Sequence, residues 1–187
     1  KREAAYQVLR QLKTINSEDL KLNYRAVIAN YFLKDYPETI HQFEEAEVLR
    51  KQRGIEGLYH GSMDAYIYAS YAYQQLEQFD KSEVLIKQVY SERDRLIKAG
   101  VRLTPELWYQ KALLQSLEGE QKMVLITLQR AIDEGWSQPL RINEEPMFQK
   151  LKTDNDFQVM LAGLETRMNL MRDQLAFEES FANHWKG

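Results

Sequence analysis

The sequence has no cysteine and few residues that interrupt helices. Eight glycines and four prolines among 187 residues are about half the share of these residues in an average globular protein. This shortage predicts long helices joined by few turns. The lack of cysteine excludes disulfide bonds and thiolate metal ligands, and a chain of this length can bury a hydrophobic core without them.

Blocks of like charge and long apolar runs are also missing. The 25 Lys and Arg residues nearly balance the 28 Asp and Glu residues, which gives a net charge of −3. We expect no nucleic-acid binding by this segment, because phosphate backbones are bound by clustered basic side chains. No apolar run approaches the roughly 18 residues of a membrane-spanning helix, so we expect no membrane insertion by this segment.

Two blocks of the sequence, 63–94 and 105–135, share one pattern. Each has a large aromatic residue, a small residue four positions later, a break, and then apolar residues at every third or fourth position. The aromatic and small residues are Tyr66 and Ser70 in the first block, and Trp108 and Ala112 in the second. Because a small residue lets two helices cross closely, each block predicts a helical hairpin.

A weaker copy of the pattern runs from Leu20 to about Gly54. Its aromatic residue is Tyr24, and Tyr24, Tyr66 and Trp108 follow one another at intervals of 42 residues. The pattern resembles the tetratricopeptide repeat (TPR), with a period longer than the usual ~34 residues. The resemblance implies an all-α fold, with residues 1–136 forming an α-solenoid of TPR-like hairpins that starts in the middle of a repeat.

The repeat pattern ends after residue 136, and residues 137–187 form a separate C-terminal unit. We expect a loop over 137–145, a short helix that Pro146 opens, and a long helix of about 25 residues that begins near Asp154. Along the long helix the apolar residues are 3.5 positions apart on average, as in a coiled-coil seam. This seam comprises Phe157, Leu161, Leu164, Met168, Met171 and Leu175.

The seam has two interpretations. It caps the last hydrophobic face of the array, which terminal repeats need for solubility, or it forms the interface of a homodimer. A helix of 25 residues is about 37 Å long, longer than the repeat helices. Its far end, with Phe177, Phe181 and Trp185, would therefore extend beyond the array toward a partner chain.

The region where the repeats end carries a second resemblance. It is similar to the C-terminal tail of TPR regions in bacterial signalling proteins, including CadC-like membrane-bound transcriptional regulators and TPR-tailed adenylate cyclases. The residues that carry the resemblance are the run 131–136, Glu145, Pro146, Phe148, Leu151, Asp156 and Phe157. The resemblance implies the sensing or docking part of a larger regulator, and it favours the periplasm over the cytoplasm. Because the sequence opens at Lys1 inside a helical pattern, we also expect it to be part of a longer protein.

The TPR resemblance also implies a partner site on the concave face of the solenoid. In the usual geometry of the repeat this face follows the large aromatic residue of each first helix. The positions that correspond to it, called the tyrosine groove below, are Tyr24, Ile28, Tyr31, Ile67, Tyr71, Tyr109 and Leu113. Tyrosine offers a large flat surface and a hydroxyl, so we expect the groove to bind an apolar segment of a peptide or protein partner.

Signals for catalysis or metal binding are weak. The three histidines, His41, His60 and His184, are isolated from one another and from carboxylates at ligand spacing. Acidic residues cluster at Glu44, Glu45 and Glu47 and at Glu144 and Glu145. A solvated helix face explains the first cluster and a helix N-terminus explains the second. We therefore expect no enzyme activity, no cofactor and no metal.

The favoured interpretation is a non-catalytic protein–protein interaction or sensor module of a bacterial regulator. Two alternatives remain. One is a regulatory domain that binds a small molecule in a pocket between repeats, and the other is a structural homodimerisation scaffold that uses the seam.

Overall fold

The computed structural model describes residue 4, residues 7–9, residue 11, residues 16–58 and residues 62–184, with side chains described as far as residue 176 in the last helix. All the regular secondary structure in this part of the chain is helical. The prediction of an all-α fold is confirmed.

Eight α-helices and one 3₁₀ helix form the described chain from residue 20 onward. In order they are α1 (Leu20–Phe32), α2 (Tyr36–Gln52), α3 (Met63–Gln75), α4 (Phe79–Lys98), α5 (Pro105–Leu117), α6 (Gln121–Asp133), α7 (Pro139–Glu144), the 3₁₀ helix η1 (Pro146–Leu151) and α8 (Asn155–His184).

The first six of these helices pack as three consecutive hairpins. Helix α1 pairs with α2, α3 with α4, and α5 with α6. The first helices of successive hairpins also touch, because α3 contacts both α1 and α5. Helix α3 further packs on α2, so it lies across both helices of the first hairpin.

One type of turn closes all three hairpins. Each turn contains a residue with a left-handed backbone: Lys34 (φ 61°), Glu77 (φ 58°) and Gly119 (φ 80°). The amide of the following residue then bonds to a carbonyl five residues earlier, at distances of 2.9 to 3.0 Å. These bonds join Asp35 to Asn30, Gln78 to Tyr73 and Glu120 to Gln115. They satisfy carbonyls that the end of a helix would otherwise leave unpaired.

Side-chain caps fix the starts of several helices. The capping oxygens accept hydrogen bonds from backbone amides three residues ahead, which satisfies donors at the helix N-terminus. The pairs are Asp19 with Leu22, Asp35 with Glu38, Thr104 with Leu107, and Asp154 with Phe157. The predicted start of the long helix near Asp154 is therefore confirmed.

The segment between the last hairpin and α8 differs from the sequence prediction. The region 137–145 was expected to be a loop, but six of its residues form the short helix α7, which has Pro139 in its first turn. The expected short helix that Pro146 opens is present as η1. Helix α8 is 30 residues long, longer than the 25 residues expected, and it continues through Gly163 because no proline follows Asn155.

A continuous hydrophobic core runs from Leu20 in α1 to Leu164 in α8. Helices α7 and η1 belong to it through Ile142 and Phe148, which are completely buried. No helix in the described ranges is both long and apolar enough to span a lipid bilayer.

Candidate functional site

The residues of the tyrosine groove come from the first helix of each hairpin, and most of them are covered. Five are at most 1 % exposed, namely Tyr24, Tyr31, Ile67, Tyr109 and Leu113. Only Ile28 and Tyr71 are half-buried, and both pack against the core. As the chain is folded, the five buried side chains offer no surface to a partner. Partner binding at these positions stays a prediction, and it would require the covering residues to move.

Glu145, at the junction of α7 and η1, is the polar residue that occupies the centre of this region. Its side chain is completely buried. The Tyr31 hydroxyl donates a hydrogen bond to Oε1 of Glu145. The hydroxyls of Tyr68 and Tyr109 donate to Oε2 over 3.4 and 3.3 Å. Because these tyrosines belong to α1, α3 and α5, one carboxyl group connects the first helices of all three hairpins.

Burial controls the protonation of this cluster. It raises the pKa of Glu145 to about 7, although hydrogen bonds from Tyr31 and from the Met147 amide lower the pKa. Burial also raises the pKa of the hydroxyls of Tyr31, Tyr68 and Tyr109 well above their ordinary value. The three phenols therefore stay protonated near neutral pH and act as hydrogen-bond donors to Glu145.

Arg141 in α7 forms a second polar cluster beside the first. Its guanidinium donates to Asp64 over 2.8 Å and to Glu106 over 3.2 Å. It also donates to the Tyr68 hydroxyl over 3.0 Å, which links the two clusters. The guanidinium carbon lies 4.8 Å from the ring centre of Tyr109.

Two stacked aromatic rings lie next to the Arg141 guanidinium. The rings of Tyr109 and Trp136 are parallel, with centroids 4.2 Å apart and an angle of 6° between their planes. The guanidinium carbon of Arg141 lies 4.8 Å from the ring centre of Tyr109 and 5.4 Å from that of Trp136, so it packs beside this stack as well as making its two ion pairs. Burial, followed by the charge of Asp64, raises the pKa of Glu106 to about 7, and Arg141 opposes that rise.

Sequence reasoning missed these two clusters as units. It identified Glu145 as part of a helix N-terminus, and the Met147 amide does donate to its side chain over 3.3 Å. Its burial and its tyrosine partners were not foreseen, and neither were the roles of Tyr68 and Arg141. The one available signal was a pair of acidic residues before a proline and several apolar residues, which is too common to identify a buried carboxyl group.

The other acidic cluster lies on α2 and accepts hydrogen bonds from the first helices of the first two hairpins. Glu47 accepts hydrogen bonds from the Tyr24 hydroxyl over 2.7 Å and from Arg50 over 2.9 Å. Glu44 accepts from the Tyr73 hydroxyl over 2.9 Å. Glu44 and Glu45 are exposed, as expected for a solvated helix face, whereas Glu47 is half-buried.

The described residues contain no group of three or more His, Asp or Glu side chains arranged to hold a metal ion. His41 lies 3.6 Å from Glu45 on the surface of α2. His60 and the side chain of His184 lie outside the described residues.

The seam on α8 is buried at one end and exposed at the other. Phe157, Leu161 and Leu164 are at most 6 % exposed. Beyond them Met168 is half-buried, and Met171 and Leu175 are 49 % and 61 % exposed. Three aromatic residues were expected to extend beyond the array at the far end of this helix. Their side chains lie outside the described part of the chain: Phe177, Phe181 and Trp185.

Packing of the first half of α8 explains this difference. This half contacts α6 and α7. Arg167 donates to the backbone carbonyls of Ile132 and Trp136 over 3.1 Å each, which ties α8 to the end of the third hairpin. The first half thus covers the end of the hairpins, and the second half of the seam has no cover within the described chain.

An open cleft of about 980 Å³ lies between α5, α6 and the start of α8. We call it the end cleft. Its apolar lining includes Trp108 from α5, Met123 and Ile126 from α6, and Met160 from α8. Ile126 is 62 % exposed and Met123 43 %, so two apolar side chains of the cleft face solvent, while Trp108 and Met160 are half-buried.

Comparison with known proteins gives no relative from which a role could be transferred. No family model matches the chain, and no curated protein or solved structure matches it.

Proposed function

We propose that the chain is a non-catalytic protein-interaction module, built as an α-solenoid of TPR-like hairpins, that serves a larger bacterial signalling or transcriptional regulator. The contacts between the first helices of successive hairpins support the solenoid. The left-handed turn residues Lys34, Glu77 and Gly119 recur at intervals of 43 and 42 residues, which supports a period near 42. The regulatory context rests on the resemblance to CadC-like tails.

The arrangement of the buried polar groups supports a structural role for them. Glu145 is surrounded by three tyrosine hydroxyls, and Arg141 is paired with two carboxylates. Both residues hold α7 and η1 against the hairpins. Side chains of the protein itself are the partners of both groups, and removal of either group would leave buried partners unpaired, which supports a structural role.

The partner that the surface favours is a second copy of this chain, bound along the second half of α8. The observation that carries this proposal is the exposure of Met171 and Leu175 on a seam whose first half is buried. About 20 residues of α8 follow Leu164, a length of about 30 Å. An apolar seam with 3.5-residue spacing packs best against a helix of the same spacing, and α8 of a second copy provides one.

Multi-angle light scattering coupled to gel filtration tests this proposal over a wide range of protein concentrations. We expect a dimer that Leu175→Asp converts to a monomer. The matched control is Leu170→Asp, because Leu170 is 60 % exposed on the same helix but lies about 140° around it from Leu175. A monomer at every concentration, or equal effects of the two substitutions, would refute self-association through the seam.

Two alternatives have weaker support. A peptide in the tyrosine groove would have to displace the segment around Glu145, because five of the seven groove side chains are buried. For a small molecule, the end cleft is open to solvent and lies between the third hairpin and α8 rather than between two repeats. In a thermal-shift screen, a metabolite that binds only the folded chain would raise its melting temperature.

A further inference from the structure

The exposed half of the seam borders a second cavity, which lies between α7 and α8. This cavity has a volume of about 460 Å³, and we call it the α7–α8 cleft. Its lining includes Leu140 of α7, which is 57 % exposed, and Met168 of the seam. The exposed apolar surface of Met171 and Leu175 is therefore continued across Met168 into the cleft.

Two charged residues of α8 line the same cleft, namely Glu165 and Arg172. They are seven positions apart, so they lie on one side of the helix, and both are exposed. Among the ion pairs of the described residues, none includes either of them. Arg172 donates a hydrogen bond to the neutral side chain of Asn169 over 3.3 Å. The third charged residue of the cleft, Arg141, already has two carboxylate partners.

The other charged side chains that the structure describes beyond Leu164 lie on different faces of α8. Arg167 flanks the seam on its other side, where it bonds to two carbonyls of the third hairpin. Asp173 lies opposite the seam, because it is two positions from both Met171 and Leu175. Glu165 and Arg172 are therefore the charges that flank the seam on the side of the α7–α8 cleft.

These positions distinguish the two directions in which a pair of seams can pack. In a parallel pair, each flank of one helix faces the opposite flank of the other helix. That direction brings Arg172 toward Arg167 of the second copy. In an antiparallel pair, each flank faces the same flank of the other helix, so Glu165 and Arg172 face their own counterparts.

The charges also select one antiparallel register. When Met168 lies opposite Met171 of the second copy, Glu165 faces Arg172 of the second copy, and the two-fold symmetry repeats this contact. A shift of one heptad toward the start of α8 brings the two copies of Glu165 together. A shift toward its end brings the two copies of Arg172 together. The central register joins opposite charges, whereas both shifted registers oppose like charges.

The central register also places the end of the seam. Leu175 of one copy comes level with Leu164 of the other, which is 2 % exposed and offers no surface. The α7–α8 cleft opens beside this part of α8, where Glu165 and Met168 line it. The apolar surface available to Leu175 is therefore that of Leu140.

We propose that α8 of the second copy binds antiparallel in this register and that its seam ends in the α7–α8 cleft. Glu165 of each copy pairs with Arg172 of the other, and Leu175 packs against Leu140. The inference rests on the proposed self-association through α8, and it specifies the direction, the register and the residues that select them.

Reversal of single charges tests the pairing. Glu165→Arg or Arg172→Glu alone places like charges at both symmetric contacts. Each should raise the dissociation constant of the dimer by about tenfold, because an exposed pair contributes modestly and two pairs are lost. The double variant E165R/R172E restores both contacts and should dimerise within about threefold of the parent chain. Light scattering over a range of concentrations measures these constants.

A mixture of the two single variants provides a sharper test. In their heterodimer both contacts again join an arginine to a glutamate, so the heterodimer should form about tenfold more tightly than either homodimer. Native mass spectrometry separates the three dimers by mass. A loss of folding cannot produce this preference, because each variant alone remains the weaker partner of itself.

Two results would overturn the antiparallel arrangement. One is a heterodimer present at its statistical share. The other is a tighter dimer of the Arg172→Glu variant alone, because a parallel pair would place the new glutamate near Arg167 of the second copy. A parent dimer that Leu175→Asp dissociates but that the charge reversals leave unchanged contradicts this arrangement alone. A parent chain that is monomeric at every concentration contradicts self-association itself.

The role of the cleft has a test of its own. Leu140→Asp places a charge against Leu175 of the second copy and should raise the dissociation constant by at least about fivefold. The matched control is Val159→Asp, because Val159 is 64 % exposed on the first half of α8 and does not line the cleft. Equal effects of the two substitutions would show that the seam of the second copy does not end in the α7–α8 cleft.

Discussion

Tyr31 and Glu145 are 114 residues apart in the sequence, and the hydroxyl of Tyr31 donates a buried hydrogen bond to the Glu145 carboxyl group. Through this contact, the segment that follows the last hairpin is attached to the first helix of the first hairpin. Tyr68 and Tyr109 attach the same carboxyl group to the other two hairpins. The C-terminal segment therefore fixes the relative positions of all three first helices.

Replacement of Glu145 by alanine is expected to destabilise the fold strongly. Three buried tyrosine hydroxyls would lose their acceptor, and each unsatisfied buried donor costs about 1–3 kcal/mol. Because water can enter part of the space and the losses are not additive, we expect the free energy of unfolding to fall by about 3 kcal/mol. Urea denaturation monitored by circular dichroism measures this change.

The control for this substitution is Glu144→Ala. Glu144 is the exposed neighbour of Glu145 at the end of α7, and a surface substitution changes stability by only about 0.5 kcal/mol. Equal destabilisation by the two alanine substitutions would show that the tyrosine contacts of Glu145 contribute little.

Stability is also expected to depend on pH near neutrality. The pKa of Glu145 is about 7 in the folded chain and about 4.3 in an unfolded one. The folded state thus binds the proton more tightly, so this contribution to stability is complete below the unfolded pKa and is lost as the pH rises through 7. We expect the free energy of unfolding to decrease between pH 5 and pH 8 by at most about 3 kcal/mol.

Glu145→Gln isolates the share of this residue in the pH dependence. Glutamine has nearly the shape of the protonated acid and does not titrate, so the variant should lose less stability at pH 8 relative to pH 5 than the parent chain. The pKa of Glu106 is also raised to about 7, so part of the pH dependence should remain. A pH dependence identical to that of the parent would exclude Glu145 as its source.

Loss of the Arg141 charge is expected to destabilise the chain as much as loss of Glu145. Arg141→Met keeps an apolar stem over Tyr109 but leaves Asp64 and Glu106 without their cation. Removal of one partner from a largely buried ion pair costs about 3–5 kcal/mol. If the second substitution Asp64→Asn restores part of that stability in urea denaturation, the cost comes from the uncompensated carboxylate. Additive effects of the two substitutions would contradict the pairing.

Local signals in the sequence predicted much of the architecture. The cap at Asp154 and the turn at Gly119 depend on residues close to each other in the chain, so the pattern around them was sufficient to place α8 and the third hairpin. The turns at Lys34 and Glu77 have the same left-handed backbone without glycine. There the packing of the hairpin imposes a conformation that the residue type does not favour.

The burial of the tyrosine groove beneath another segment of the same chain could not be predicted in the same way. The repeat register placed Tyr31 and Tyr109 on the first helices, but it contains no information about which other segment covers them. Glu145 and Arg141 reach these tyrosines only after the chain turns back through α7 and η1. A local pattern cannot show that a short helix will form there, nor that its polar side chains will point into the hairpins.

Glycine substitutions provide a test of the backbone that requires no partner. Gly163 lies inside α8, and a Cβ atom built there meets no other atom within 4 Å, so Gly163→Ala should stabilise the chain by about 0.5–1 kcal/mol through helix propensity. Gly119 has the same open space but a φ of +80°, so Gly119→Ala should destabilise it by about 1 kcal/mol. For a chain of this size, these effects correspond to shifts in melting temperature of about 2–4 °C in opposite directions. Calorimetry of both variants measures them, and shifts of the same sign would contradict either the helical position of Gly163 or the left-handed turn at Gly119.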